Sequence, residues 1–313
     1  MTPEHNEIVD EVIDDVIALE SLENQEISHE ITLHAEPVTA IGNFPVTNAL
    51  ITAWATVVII IVFVAILRTR LKEIPRGIQN FFEYIIDGAL SLSDQVTNDR
   101  SVSEKAFPLV FSIFLFILIN NWLGILPFGG FGVIHQESGV SSFIPFLRSG
   151  TADINTTLAL AILSVIAANV FGILSVGIWK AFNKYINLQT FVHAAKNIRK
   201  DPTVLVVAPV SFFVGVLEII SEFAKVASLS FRLFGNVFAG EVLLLAMAAI
   251  FTYILPVPFI FLEIFVGLIQ AFIFSILVLV YFTIAAQDHD EHEEEERHSK
   301  VSPHHNDRGV VIN

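Results

Sequence analysis

The chain has no cysteine, so no disulfide and no thiolate metal site can hold any part of it. No lysine or arginine occurs before Arg68. The first apolar run, Asn48–Leu67, therefore lacks the basic leader of a secretory signal peptide, and none is expected. Charged residues make up only 16% of the sequence. A Gly-x-x-x-x-Gly-Lys loop is missing, which excludes phosphate binding of that type.

What is present is apolar sequence. Hydrophobic residues are 54% of 313, and the mean hydropathy is +0.67. Those values exclude an ordinary soluble globule and argue for an all-α, polytopic membrane protein. The net charge of −15 resides in the ends. Residues 1–48 hold eleven acids and no Lys or Arg, and residues 288–313 hold eight acids and three bases. The thirteen acids and fourteen bases between them nearly cancel. The sequence reads as an acidic segment 1–46, a membrane domain 47–287 and an acidic tail 288–313. No nucleic-acid partner is expected. Ile8, Val12, Ile13, Val16 and Ile17 stand at helical spacing in the first segment. The tail Asp288–His298 reads as a solvated, disordered end rather than a specific metal site.

Spans are expected at Asn48–Leu67, Phe107–Pro127 and Thr157–Trp179, each near the ~20 residues that cross ~30 Å of hydrocarbon. Basic residues follow the first span (Arg68, Arg70, Lys72, Arg76) and the third (Lys180, Lys184, Lys196, Arg199, Lys200), whereas residues 128–155 carry only Arg148. The positive-inside rule then puts the N-terminus and the 128–155 loop outside, and the 68–76 and 180–200 loops in the cytoplasm. Ile78, Phe81, Phe82, Ile85, Ile86, Ala89 and Leu90 share one helical face, which predicts an amphipathic helix on the membrane interface.

From Val204 to Ala286 the sequence is apolar almost throughout, interrupted at Leu255-Pro-Val-Pro258. Val204–Phe251 is either two spans or one inclined helix of ~70 Å. Only Gly235 and Gly240 interrupt the stretch after Arg232. This favours one long helix, a turn at the prolines and a second inclined helix over Phe259–Ala286. The total is five crossings, with the C-terminus cytoplasmic.

Arg232 stands in the middle of that run. A guanidinium stays charged at any working pH, and placing it near a bilayer centre costs at least ~2.5 kcal/mol. No acid lies three or four residues from it. Glu218, Lys225 and Arg232 are spaced by seven, as are Glu222, Leu229 and Asn236, so each row stays within about 20° of one helical face. Glu218 or Glu222 could instead neutralise Lys225. Glu241 points half a turn away from Arg232. Arg232/Gln270 and Glu241/Glu263 have nearly the same index sum, so one antiparallel register matches both pairs. Asn120 and Asn121 lie within the second span. Asp153 reads as a helix N-cap or first-turn acid.

The run Ser228–Glu241 resembles the signature of subunit a of F-type ATP synthases: Arg232, Asn236 and Glu241 stand at that family's spacing. Leu268–Phe274, Pro75–Glu83, Asn121 with Pro127, and Thr151–Thr157 resemble other segments of it. The resemblance covers roughly residues 45–287. It implies two long inclined helices packed as a hairpin against a rotating ring of proteolipid c subunits, b-type peripheral stalk subunits as further partners, and a bacterial plasma (inner) membrane location. Arg232 would face the ring carboxylates, with Gln270 and Asn236 near it. Glu241, Glu263 and Asn121 would line an outer proton half-channel and Glu218 an inner one. No cofactor and no metal are implied. Many relatives carry one histidine in the pair at 241 and 263; here both are Glu. Two other readings are a secondary transporter for an anionic substrate and a purely scaffolding membrane subunit. No internal repeat of the transporter kind is visible. The scaffold leaves Arg232, Glu241, Glu263 and Gln270 unexplained.

Overall fold

A computed structural model of the chain describes residues 35–69, 71–72, 77–125, 132–137, 140–176, 204–251 and 254–287. The helical spacing at Ile8–Ile17, most of the two basic loops and the acidic tail lie outside the described residues.

The elements in chain order are a hairpin β1 (Pro37–Ile41) and β2 (Phe44–Thr47), helices α1 (Asn48–Thr69), α2 (Ile78–Thr97) and α3 (Arg100–Ile125), and a second hairpin β3 (Gly132–Glu137) and β4 (Val140–Pro145). A short 3-10 turn at Gly150–Ala152 precedes α4 (Ile154–Val176), α5 (Val204–Ile250) and α6 (Pro256–Gln287). Five of these helices are long and apolar enough to cross a membrane: α1, α3, α4, α5 and α6. The all-α polytopic expectation holds, with two small antiparallel hairpins added.

Local chemistry sets the boundaries. In the first hairpin Ile41 pairs with Phe44 across two residues, and Gly42 takes φ 66°, a conformation open to Gly in such a turn. Thr47 Oγ1 then accepts the Leu50 amide at 3.3 Å, an N-cap bond that starts α1. Helix α2 ends on Asn98 in the left-handed region, its amide bonded to Asp94 O. Asp99 restarts the chain as α3 by accepting the Ser101 amide at 2.7 Å. Asp153 does the same for α4, accepting the Asn155 amide at 3.3 Å; this is the capping role read from sequence. Helix α5 is a single element of 47 residues, more than twice the hydrocarbon thickness at 1.5 Å per residue. Helix α6 begins on Pro256, where a missing amide proton costs nothing, three residues before the Phe259 expected.

The described residues fall into two compact units. One is drawn from Met1–Val62, Phe116–Thr156 and Phe234–Leu268, the other from Phe63–Leu115, Thr157–Leu233 and Ile269–Asn313. The first unit buries Val46, Ala49, Ile117, Asn120, Asn121, Thr151 and Val237. In the second, Val110, Ile113, Val165, Leu229, Leu233, Phe274 and Val278 form the core. There the Phe63 and Phe82 rings meet edge-on at 5.0 Å and tie α1 to α2. Ile78, Phe81, Tyr84 and Ile85 of α2 are exposed, as an amphipathic helix without a protein partner on that face leaves them.

Candidate functional site

The second unit contains Arg232, Gln270 and Glu218; the first contains Glu241, Glu263, Asn121 and Asn236. Each group has its own geometry.

In the second unit Arg232 is exposed on α5. Its Nη2 donates to the Ser228 hydroxyl at 3.4 Å, one turn earlier on the same helix. Among the described residues it enters no salt bridge. Its exposed neighbours include Phe231 and Ser228, while Leu229, Ser230 and Leu233 face the core. Helix periodicity thus turns one cation outward beside a short hydroxyl, with an apolar row behind it. Gln270 is buried on α6, and Glu218 is partly exposed on α5.

Glu222 and Lys225 do neutralise each other: Nζ and Oε1 are 2.7 Å apart. Asn169 of α4 donates to the other Glu222 oxygen at 3.1 Å. The ammonium also lies 5.5 Å from the Tyr281 ring centroid, a cation–π contact from α6. These residues line a small polar cleft together with Val165 and Ala168. The row through Glu222 is not uniformly polar, since Leu229 is 1% exposed.

In the first unit Arg148 sits between β4 and the 3-10 turn. Its Nε and Nη2 both donate to Glu241 Oε2, at 3.1 and 3.0 Å. The pair is largely shielded, with side-chain exposures of 10% and 25%. The Glu263 carboxyl lies against the backbone of Gly240, where a Cβ would collide with its oxygens. Glu241 and Glu263 are electrostatic neighbours, and Glu36 also acts on Glu241. Gly240 opposite Glu263 lies within one residue of the Glu241/Glu263 level that index matching allowed.

Asn121 is buried. Its Oδ1 accepts the hydroxyls of Ser149 and Thr151, and its Cβ meets Gly267 of α6, one turn past Glu263. Trp122 donates its indole proton to Ile264 O at 3.2 Å. Asn120 Oδ1 accepts the Gly150 amide at 2.7 Å. This polar network fixes the 149–151 segment to α3, and with it the loop that carries Arg148. Asn236 is exposed on α5, one turn after Arg232.

The ATP synthase A chain family matches this sequence over residues 50–283. The ATP synthase subunit a of Gloeobacter violaceus is 30% identical over 282 residues, which is 88% of this chain and 99% of that protein. The chain belongs to the ATP synthase A chain family.

That membership makes it a membrane protein of ATP synthesis and proton transport, and it decides against the transporter and the free scaffold. The sequence reading missed Arg148 and Gly240 as parts of a site. Arg148 gave one signal, as the only base between residues 128 and 155. For Gly240 the signal was a glycine inside an unbroken apolar helix. Tyr281 and Asn169 gave none.

Proposed function

We propose that the chain is the stator subunit that forms two proton half-channels against a ring of c-type proteolipids and couples proton flow to ring rotation. The observation that carries this reading is the outward Arg232 guanidinium, held in apolar helix without a carboxylate of its own chain among the described residues.

A ring carboxylate must be neutral to travel through lipid, because an ionised one is too costly there. It must ionise briefly to give up its proton. A fixed guanidinium makes that tolerable, by about 4 kcal/mol at 4 Å and effective dielectric 20. The same charge repels protons between the two half-channels and so blocks a leak. Glu241, Glu263 and Asn121 line the outer half-channel, Glu218 the inner one, and Gln270 and Asn236 accompany Arg232. In this reading the ring and b-type stalk subunits are the protein partners, the membrane is a bacterial inner membrane, the N-terminus is outside and the C-terminus cytoplasmic. ATP chemistry belongs to other subunits. The long α5 and α6 lie obliquely and present their outer face to the ring.

The test is Arg232→Ala in the complete complex reconstituted into vesicles. Proton-driven ATP synthesis is expected to stop while the complex still assembles. Synthesis that persists, or co-purification without any small carboxylate-bearing proteolipid, overturns the reading.

A further inference from the structure

Arg148 is absent from every role assigned above, yet it is the cation bound to Glu241. Two N–H groups of one planar guanidinium converge on one carboxylate oxygen, a charge-assisted grip that a point-charge ammonium does not reproduce. The grip is held from behind. Gly150 N bonds to Asn120, Ser149 Oγ bonds to Thr151 at 2.8 Å, and both hydroxyls reach Asn121. Ser149 also presses its backbone against Gly124, where an added Cβ would lie 2.6 Å from Ser149 N. The side chain of Arg148 is thus delivered by a loop that cannot easily retreat.

Glu263 is placed differently. It occupies the notch at Gly240, and among the described residues no hydrogen bond or ion pair is made to its carboxyl. Among the described residues, the charged groups at this spot are Arg148, Glu241, Glu263 and Glu36. Two adjacent carboxylates in a poorly solvated place share a proton unless a cation neutralises one of them. Here Arg148 is paired with Glu241.

We propose that Arg148 is a positioning residue of the proton path: it orients Glu241 and favours its ionised form, so that the exchangeable proton is carried by Glu263. The two acids then have separate tasks. Glu241 fixes the local field, and Glu263 takes a proton from the aqueous side and hands it on. This rests on the reading of Glu241 and Glu263 as proton-path residues.

The experiment uses the complete complex in vesicles and reads passive proton flux as a function of pH, with complex abundance measured alongside. Arg148→Gln is expected to lower flux on the order of tenfold and to move the pH profile upward, because Glu241 now competes for the proton. Arg148→Lys keeps the charge and should keep the profile while losing part of the rate. Arg148→Gln combined with Glu241→Gln removes both members of the pair and should recover flux above Arg148→Gln alone. Glu241→Gln alone should retain more flux than Glu263→Gln. A pH profile unmoved in Arg148→Gln, or a double variant no better than the single, overturns the proposal and leaves Arg148 a structural link. Should Arg148→Gln fail to assemble, the comparison of Glu241→Gln with Glu263→Gln decides, and equal losses in the two overturn it. If Glu263→Gln leaves flux unchanged, the proton-path reading itself fails, whatever Arg148 does.

Discussion

Arg232 and Arg148 are the same side chain in opposite circumstances. Arg232 stands outward on α5; among the described residues it makes a long bond to Ser228 and no salt bridge. Arg148 is folded inward and spends two donors on Glu241. An arginine that satisfies itself within the chain fixes a field for its neighbours. One left facing away is available to something outside the chain. Position in sequence does not tell them apart; the direction of the side chain and the nearest carboxylate do.

The comparison breaks most severely at Arg232. Its replacement by Ala should reduce proton-driven ATP synthesis on the order of a thousandfold, the equivalent of ~4 kcal/mol of lost charge stabilisation, measured in reconstituted vesicles. A comparable loss in Arg148→Gln would erase the distinction between the two. Next comes Gly240→Ala. The group its methyl would meet is the far end of the flexible Glu263 side chain, so the helix can stand while the carboxyl is pushed aside. Proton flux should fall about tenfold with little change in the thermal midpoint of the complex.

Gly124→Ala should behave in the reverse manner. Its Cβ would meet backbone atoms of Ser149 at 2.6 and 2.7 Å, which cannot rotate away. Overpacking of that sort costs about 1–3 kcal/mol, so thermal stability falls first and flux follows through the displaced Arg148 loop. The smallest effect belongs to the α2–α3 corner. A hydrogen bond from Arg100, followed by one from Ser103, holds the Asp94 carboxyl below its ordinary value of 3.8. A depressed acid stabilises the fold above its unfolded value and loses that contribution as pH falls through the folded one. Asp94→Asn should therefore change stability slightly at neutral pH and not at all well below pH 3.8, as read by acid titration of the melting transition.

Much of the fold was legible because hydrocarbon is a simple solvent. Apolar runs of sufficient length marked all five long helices, and the lack of any proline near Arg232 marked α5 as one piece. The Glu222–Lys225 pair was open to reading because three residues on a helix are neighbours. The β1–β2 and β3–β4 hairpins were not, since strands of four to six residues carry too little periodicity to stand out beside long apolar helices. Arg148 and Glu241 are 93 residues apart, and nothing local in either segment names the other. Asn121 was recognised as a polar residue within a span, but its hydroxyl partners come from a loop whose path only tertiary packing sets.

Gly240 and Glu263 make a matched size pair. Bulk added at one position has to be subtracted at the other, and the shorter arm of aspartate would make room for a methyl group across from it. Gly240→Ala and Glu263→Asp, each harmful alone, should therefore partly cancel when combined, which makes the width of that crevice something chemistry can dial one methylene at a time.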